Sequence, residues 1–262
     1  MSMYPPPGGY ERPASTDPLV PLNLDQWFGK VFGVVRRSWP SLSVIQLAAA
    51  LPGMLLGGLA QWIVLGGAAP TPETAVTAGA AGGVVAIVFS LFAQGASVFV
   101  AIREAVGRPV QAGAALHFAA GRALPLLGWG LVGGVLIFLG LLLLVVPGIY
   151  VTTVVVAALV GVVVVERGGI DRAFTLVNRR FLPTFGRMVI FFVVGFGYSS
   201  MVGAVVALVS EPGSLNELLL SGVLALPLSL ASVGVAVVTY AELRFHEDPA
   251  VSSGRLAVEL ER

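Results

Sequence analysis

Six predominantly apolar stretches, at roughly 41–66, 76–102, 124–146, 148–166, 184–209 and 217–243, are separated by short segments that hold nearly all the charge. Each is close to the about 20 residues that a membrane-spanning helix requires. The third and fourth form one apolar run interrupted only by Pro147–Gly148. A single helix of that length would overrun the bilayer, so the pattern predicts a tight hairpin at Pro-Gly. The other outward turns are expected around Pro70–Glu73 and around Glu211–Glu217. The pattern therefore predicts an all-α membrane protein, six transmembrane helices arranged as three hairpins within 22–246.

The segments that precede the hairpins have a different period. In 24–39, Trp27, Phe28, Val31, Phe32, Val35 and Trp39 fall on one helical face, opposite Gln26, Lys30, Gly33 and Arg37. In 170–181, Ile170, Ala173, Phe174, Val177 and Phe181 repeat that spacing opposite Asp171, Thr175, Asn178 and Arg179. A weaker version, 110–122, is mostly Ala with His117, Phe118 and Arg122. Such segments read as interfacial amphipathic helices, with the apolar face in the acyl boundary. Each ends in Arg-x-x-Pro: RSWP at 37–40, RALP at 122–125 and RFLP at 180–183. Proline disfavours helix for its predecessor and fits the first turn of the next helix, so a break is expected at each motif. The unit of an amphipathic segment, an outward span and a returning span is used three times, and each return closes on a carboxylate near an arginine.

Charge adds orientation. The basic residues lie in the segments that flank the hairpins, and none lies at the turns midway through them. That is the positive-inside pattern of a chain with both ends in the cytoplasm. Residues 1–21 are rich in Pro and Gly and are expected to be a disordered or polyproline tail. No signal peptide is expected, because the first long apolar run starts well past residue 30 without a cleavage site. Residues 247–262 form a short charged tail, helical or disordered.

Composition removes several kinds of chemistry. Charged residues make up 11% of the chain and apolar residues 56%, against roughly 25% charged in soluble domains, so lipid is the expected solvent. No cysteine is present and only two histidines, His117 and His246, so neither a disulfide nor a thiolate or imidazole metal centre is expected. His117 has no carboxylate nearby at metal or triad spacing, so it reads as a polar interfacial histidine. Ser199–Ser200 lack a base beside them. Phosphate-binding loops, metalloprotease helices, nucleophile elbows and dinucleotide fingerprints are all missing. The expectation is no enzyme, no cofactor, no metal and no nucleic acid. Arginine outnumbers lysine fourteen to one, which hints at a GC-rich bacterial genome.

Two sets of residues remain as candidates. Arg36, Arg37, Arg122, Arg179 and Arg180 would lie at the height of lipid phosphates, where each cation near an anionic leaflet is worth about 1 kcal/mol. Topology and anchoring alone also call for such residues. Glu104, Glu166 and Glu242, with Arg103, Arg167 and Arg244, are the candidates for ion pairs or a polar site, since an unpaired carboxylate near hydrocarbon is costly. Arg187 is the deepest charge and would snorkel to the cytoplasmic interface. Gln46, Gln61 and Gln94 would pair across helices or line a small cavity. Small residues four apart (Gly53 and Gly57, Gly79 and Gly83, Gly130 and Gly134, Ala157 and Gly161) allow close helix packing.

The stretch 145–186, VVPGIYVTTVVVAALVGVVVVERGGIDRAFTLVNRRFLPTFG, resembles the bacterial membrane domain of the glycerophosphoryl diester phosphodiesterase type. The resemblance is carried by Pro147, Gly148, Ile149, Tyr150, Glu166, Gly168, Ala173, Arg180, Phe185 and Gly186, and FGVVRRSWPSL at 32–42 is similar to the basic opening segment of such proteins. Gly161 stands near where that pattern has a proline. In the family, phosphodiesterase activity resides on a separate soluble barrel, so the resemblance implies a stand-alone membrane module and no catalysis. Residues and resemblance together predict a non-enzymatic multi-pass protein of the bacterial cytoplasmic membrane. It would organise or bind phospholipid through anionic headgroups, or bind a protein partner or a second copy, at the cytoplasmic leaflet. The alternative is a permease subunit for a lipid or amphipathic solute, driven by a separate ATPase.

Overall fold

A computed structural model describes residues 16–66, 71–211 and 215–262. Residues 1–15, Pro70 and the centre of the predicted 211–217 turn lie outside them. Among the described residues all regular structure is helical. The elements are α1 (Leu24–Leu65), α2 (Pro72–Ala105), α3 (Ala112–Gly121), α4 (Ala123–Leu143), α5 (Val145–Val154), α6 (Ile170–Asn178), α7 (Phe181–Val209), α8 (Leu215–Glu247) and α9 (Ser253–Glu261). Five helical segments are long and apolar enough to cross a membrane: α1, α2, α4, α7 and Leu219–Glu247 of α8.

α1 departs most from the expected pattern. Its N-terminus is capped by Asn23, whose side chain accepts from the Gln26 amide at 2.8 Å. The helix then runs unbroken for 42 residues through Pro40 and Pro52. No separate in-plane helix precedes the first span. Interior proline costs a helix about 3 kcal/mol, and the packing of one face outweighs it. Trp27, Val31, Val34, Ser38, Leu42, Ile45 and Ala49 form a continuous buried stripe that crosses Pro40 without a change of phase. Trp27 also donates its indole N–H to Thr239 Oγ1 on α8 at 3.0 Å. The apolar face expected to enter lipid is thus divided. Trp27 and Val31 are buried in protein, while Phe32 and Trp39 remain exposed.

At the other two Arg-x-x-Pro motifs the break occurs, and it falls on the arginine. Arg122 separates α3 from α4, and Arg179–Arg180 separate α6 from α7. Pro125 and Pro183 then occupy the third residue of the new helix, where no intrahelical N–H bond is lost.

The turn after α4 comes earlier than Pro147–Gly148. Leu144 alone is extended, at φ −157° and ψ 138°, and Pro147 sits inside the first turn of α5. The chain reverses there. A Cβ on Gly140 would stand 2.9 Å from Gly148 Cα, and one on Gly133 would stand 3.1 Å from Val155. Gly140 thus lets α4 and α5 touch backbone to backbone, and Gly133 admits the Val155 and Leu159 side chains beyond α5. Beyond Val154 the helix continues as two π-helical turns, Val155–Leu159 and Val162–Glu166. The predicted fourth span, 148–166, therefore has no continuous α-helical form; its regular part is the shorter apolar segment Val145–Leu159.

α1 and α2 also run antiparallel, with Gln46 against Ser97 and Gly57 against Gly82. So do α7 and α8, where the Tyr198 hydroxyl donates to the Leu224 carbonyl at 2.6 Å. Burial is uneven along the bundle. Side chains such as Leu55, Leu142, Phe196 and Leu208 are more than two-thirds exposed, as lipid-facing residues must be. The close-packed core lies at the other end, where α3, α6 and α9 surround the inner halves of the long helices.

Both tails contribute to that core. Asp17, Leu19 and Val20, within the stretch expected to be a disordered tail, are buried. One Asp17 oxygen accepts from the Leu19 and Val20 amides and from Ser253 Oγ, and the other accepts from the Ser253 amide. Lys30 donates to the carbonyls of Asp17 and Val20. Within the expected C-terminal tail, α9 buries Leu256, Ala257 and Leu260. Its amphipathic face, rather than disorder, is what the charged sequence encodes.

Candidate functional site

The charged end of the bundle is organised around Glu166, the last residue of the π-helical segment. One oxygen accepts from Arg172 Nε at 2.6 Å. The other accepts from the buried Tyr240 hydroxyl at 2.9 Å and faces Arg244 at 3.2 Å. Arg244 donates to the Tyr240 hydroxyl at 3.0 Å and pairs with Glu259 at 3.1 Å. Arg172 reaches onward to Glu247, which also meets Arg179 at 3.5 Å. The carboxylates of Glu247 and Glu166 hold the Arg172 guanidinium above its ordinary pKa. Four elements are therefore joined through three carboxylates, Glu166, Glu247 and Glu259, and the network is a structural clamp.

Gly161 makes room for that clamp. A Cβ there would lie 2.4 Å from the Tyr240 ring, closer than any side chain tolerates. Gly161→Ala is expected to push Tyr240 off Glu166 and to lower stability by about 1–3 kcal/mol, the usual range for overpacking. Thermal unfolding in detergent measures this; an unchanged midpoint would show that the ring has space to move.

The second clamp is the buried pair of Arg187 and Glu242, 2.7 Å apart. Arg187 is 8% exposed and Glu242 3%. Arg187 does not snorkel outward; it turns inward to the carboxylate of the adjacent helix. His246 Nε2 lies 3.7 Å from the same carboxylate and also meets the Arg180 guanidinium.

The remaining candidates are distributed unevenly. Glu104 pairs with no arginine: Ser41 Oγ approaches one oxygen at 3.4 Å and the other is buried without a partner. Its neighbour Arg103 instead pairs with Glu261 at 3.0 Å, as does Arg108 at 3.1 Å. Arg36, Arg37 and Arg167 have no carboxylate within ion-pair distance among the described residues. Arg122 donates only to the Leu260 carbonyl, at 3.3 Å, and lies over the Phe118 ring at 4.4 Å. Burial, and then the charge of Arg167, lower the Arg122 pKa. Arg167 has φ +56°, a left-handed conformation that costs a non-glycine residue roughly 1–2 kcal/mol. Its amide and that of Gly168 cap the π-helix by donating to the Val162 carbonyl.

Arg172, Glu247, Glu259, Glu261 and Tyr240 escaped sequence reasoning. The one available signal was the i, i+4 spacing of Tyr240 and Arg244, which is common on any helix. Among the polar residues of the spans, Gln94 donates to Ser232 at 2.9 Å, and Ser199 and Ser200 are exposed. Among the described residues no group of three His, Asp or Glu side chains could hold a metal ion. A groove of about 560 Å³ between α1 and α2 is lined by Gly53, Gly57, Gly79, Gly82, Gln46 and Gln61.

With this geometry in view, no family model matches the chain, and no curated protein or solved structure matches it. What can be stated of its class is that it is an all-helical chain whose apolar helices are compatible with a multi-pass membrane protein.

Proposed function

We propose that this is a non-enzymatic membrane protein whose charged end binds anionic phospholipid headgroups at the cytoplasmic leaflet. In this reading it crosses the bilayer six times in three hairpins, α5 and its π-helical extension completing the middle one. Both ends face the cytoplasm of a bacterial cell. The resemblance of 145–186 to the membrane domain of the glycerophosphoryl diester phosphodiesterase type supports that placement, since its motif residues fall at the α5 start and at the Glu166 clamp.

One observation carries the reading. Most carboxylates of the charged end are engaged by internal partners, whereas Arg36 and Arg37 are exposed with no carboxylate within ion-pair distance among the described residues, and Phe32 and Trp39 stand exposed beside them. Residues 32, 36 and 39 share one face of α1. An aromatic and cationic edge without a protein partner is what a headgroup layer recognises. R36Q/R37Q is expected to weaken association with anionic lipid by about 1 kcal/mol per residue removed. Native mass spectrometry of the detergent-extracted protein reads the co-purified anionic lipid, and an unchanged lipid content would sink the proposal. The groove between α1 and α2 favours a second reading, a permease subunit working with a separate ATPase. Movement of a labelled lipid or solute by the reconstituted protein would select that reading instead.

A further inference from the structure

A pocket of about 410 Å³ opens where α3 passes into α4, bounded by Phe99, His117, Phe118, Arg122, Arg167 and Glu261. Its elements come from widely separated parts of the chain, yet its chemistry is consistent. Two guanidiniums border it, and neither has a carboxylate partner. Glu261, the acidic group on its rim, is already shared by Arg103 and Arg108, so the pocket is cationic on balance. Arg122 is fixed in place on Phe118, which is itself stacked on Phe99 at 4.1 Å. One of its terminal nitrogens is buried without a hydrogen-bond partner. Buried donors are normally satisfied; this one belongs to a guanidinium whose residue lines a cavity of about 410 Å³. Arg167 is held in the left-handed region, although two glycines follow it at once. A residue that keeps a strained backbone beside a cavity is a functional signal.

We propose that this pocket is a phosphate site, taking the phosphate monoester of an anionic lipid headgroup or of a small soluble molecule. The proposal deepens the headgroup reading above. Two guanidiniums lining one cavity repel each other, and a dianion between them removes that repulsion. A tetrahedral phosphate offers oxygens to both forks at once, in the charge-assisted geometry that arginine favours. His117, exposed on the rim, supplies a third nitrogen. The height of the site is that of a headgroup, because Leu124, two residues beyond Arg122, is 85% exposed at the start of an apolar helix.

The test uses the full-length protein in a nonionic detergent, with dihexanoyl phosphatidic acid, inorganic phosphate and dihexanoyl phosphatidylcholine as probes in equilibrium titrations. Phosphatidic acid is expected to bind and phosphatidylcholine not to bind. R122Q/R167Q should weaken binding by about tenfold or more, the loss expected for charge-assisted bonds to one anion. Gly121→Phe provides a variant that removes no cation: no atom lies within 4 Å of a Cβ at that position, so the ring enters the pocket without displacing the fold. It should abolish binding, whereas E73Q, in the exposed first turn of α2, should leave it unchanged. Inorganic phosphate binding as tightly as phosphatidic acid supports the site with a soluble ligand; preference for the lipid supports it with a headgroup. Failure of both phosphates to bind, or binding indifferent to R122Q/R167Q and to Gly121→Phe, overturns it. Pocket binding that survives alongside an unaltered lipid content in R36Q/R37Q would defeat the broader reading and leave the phosphate site standing.

Discussion

Glu166→Ala is expected to destabilise the protein by about 3–5 kcal/mol, the cost of removing one partner from a buried ion pair. The carboxylate gathers three donors: Arg172, Arg244 and the Tyr240 hydroxyl. Arg244 is 7% exposed and Tyr240 1%, so water does not replace what is lost. Arg244 would keep Glu259 and Arg172 would keep Glu247, but the Tyr240 hydroxyl would have no acceptor. Glu166→Gln retains an acceptor for Tyr240 without the charge, and should fall between wild type and Glu166→Ala. Unfolding in mixed micelles gives the ordering. A loss below about 1 kcal/mol for the alanine variant would show a hydrated network that behaves like a surface pair. Hydrogen exchange should report the same damage as faster opening of α9, because Arg244 ties α9 to α8 through Glu259.

The second large effect belongs to Arg187 and Glu242. Arg187→Met leaves a buried carboxylate facing only His246, and a loss of about 3–5 kcal/mol is expected. R187M/E242L removes both charges and keeps the volume apolar, so it should recover most of that loss or exceed the wild type, since well-packed apolar replacements of buried pairs are often neutral or better. The double-mutant cycle isolates the coupling. If the double variant is as unstable as Arg187→Met, the pair is not what holds α7 to α8, and the packing of Met188 and its neighbours must be examined instead.

The contrast between these clamps and the sequence pattern explains what was legible. Helical class and the apolar lengths of α1, α2, α4, α7 and α8 follow from hydropathy, because lipid demands continuous apolar helices. Glu166, Glu242 and Arg244 stood out as costly charges near hydrocarbon. The pairings did not, because Arg172 and Glu247 are 75 residues apart and Asp17 and Ser253 are 236 apart, and no local spacing encodes such pairs. Pro40 misled for a related reason: the local preference for a break was real, but a buried stripe extending on both sides overrode it. The π turns were invisible because a run of Val and Ala is apolar at every angle and fixes no phase.

The Asp17 contacts bear on how the chain is made. Two of its four hydrogen-bond donors are the nearby Leu19 and Val20 amides, and the other two belong to Ser253, 236 residues further on. During synthesis the first part of the chain emerges long before Ser253 does, and elements assemble in the order they appear. The buried carboxylate therefore waits for its last donors until Ser253 has been made, and the Arg244–Glu259 clamp waits longer still. Helices α1 to α8 all precede Ser253, so a ribosome stalled before residue 253 would hold them with both contacts still open.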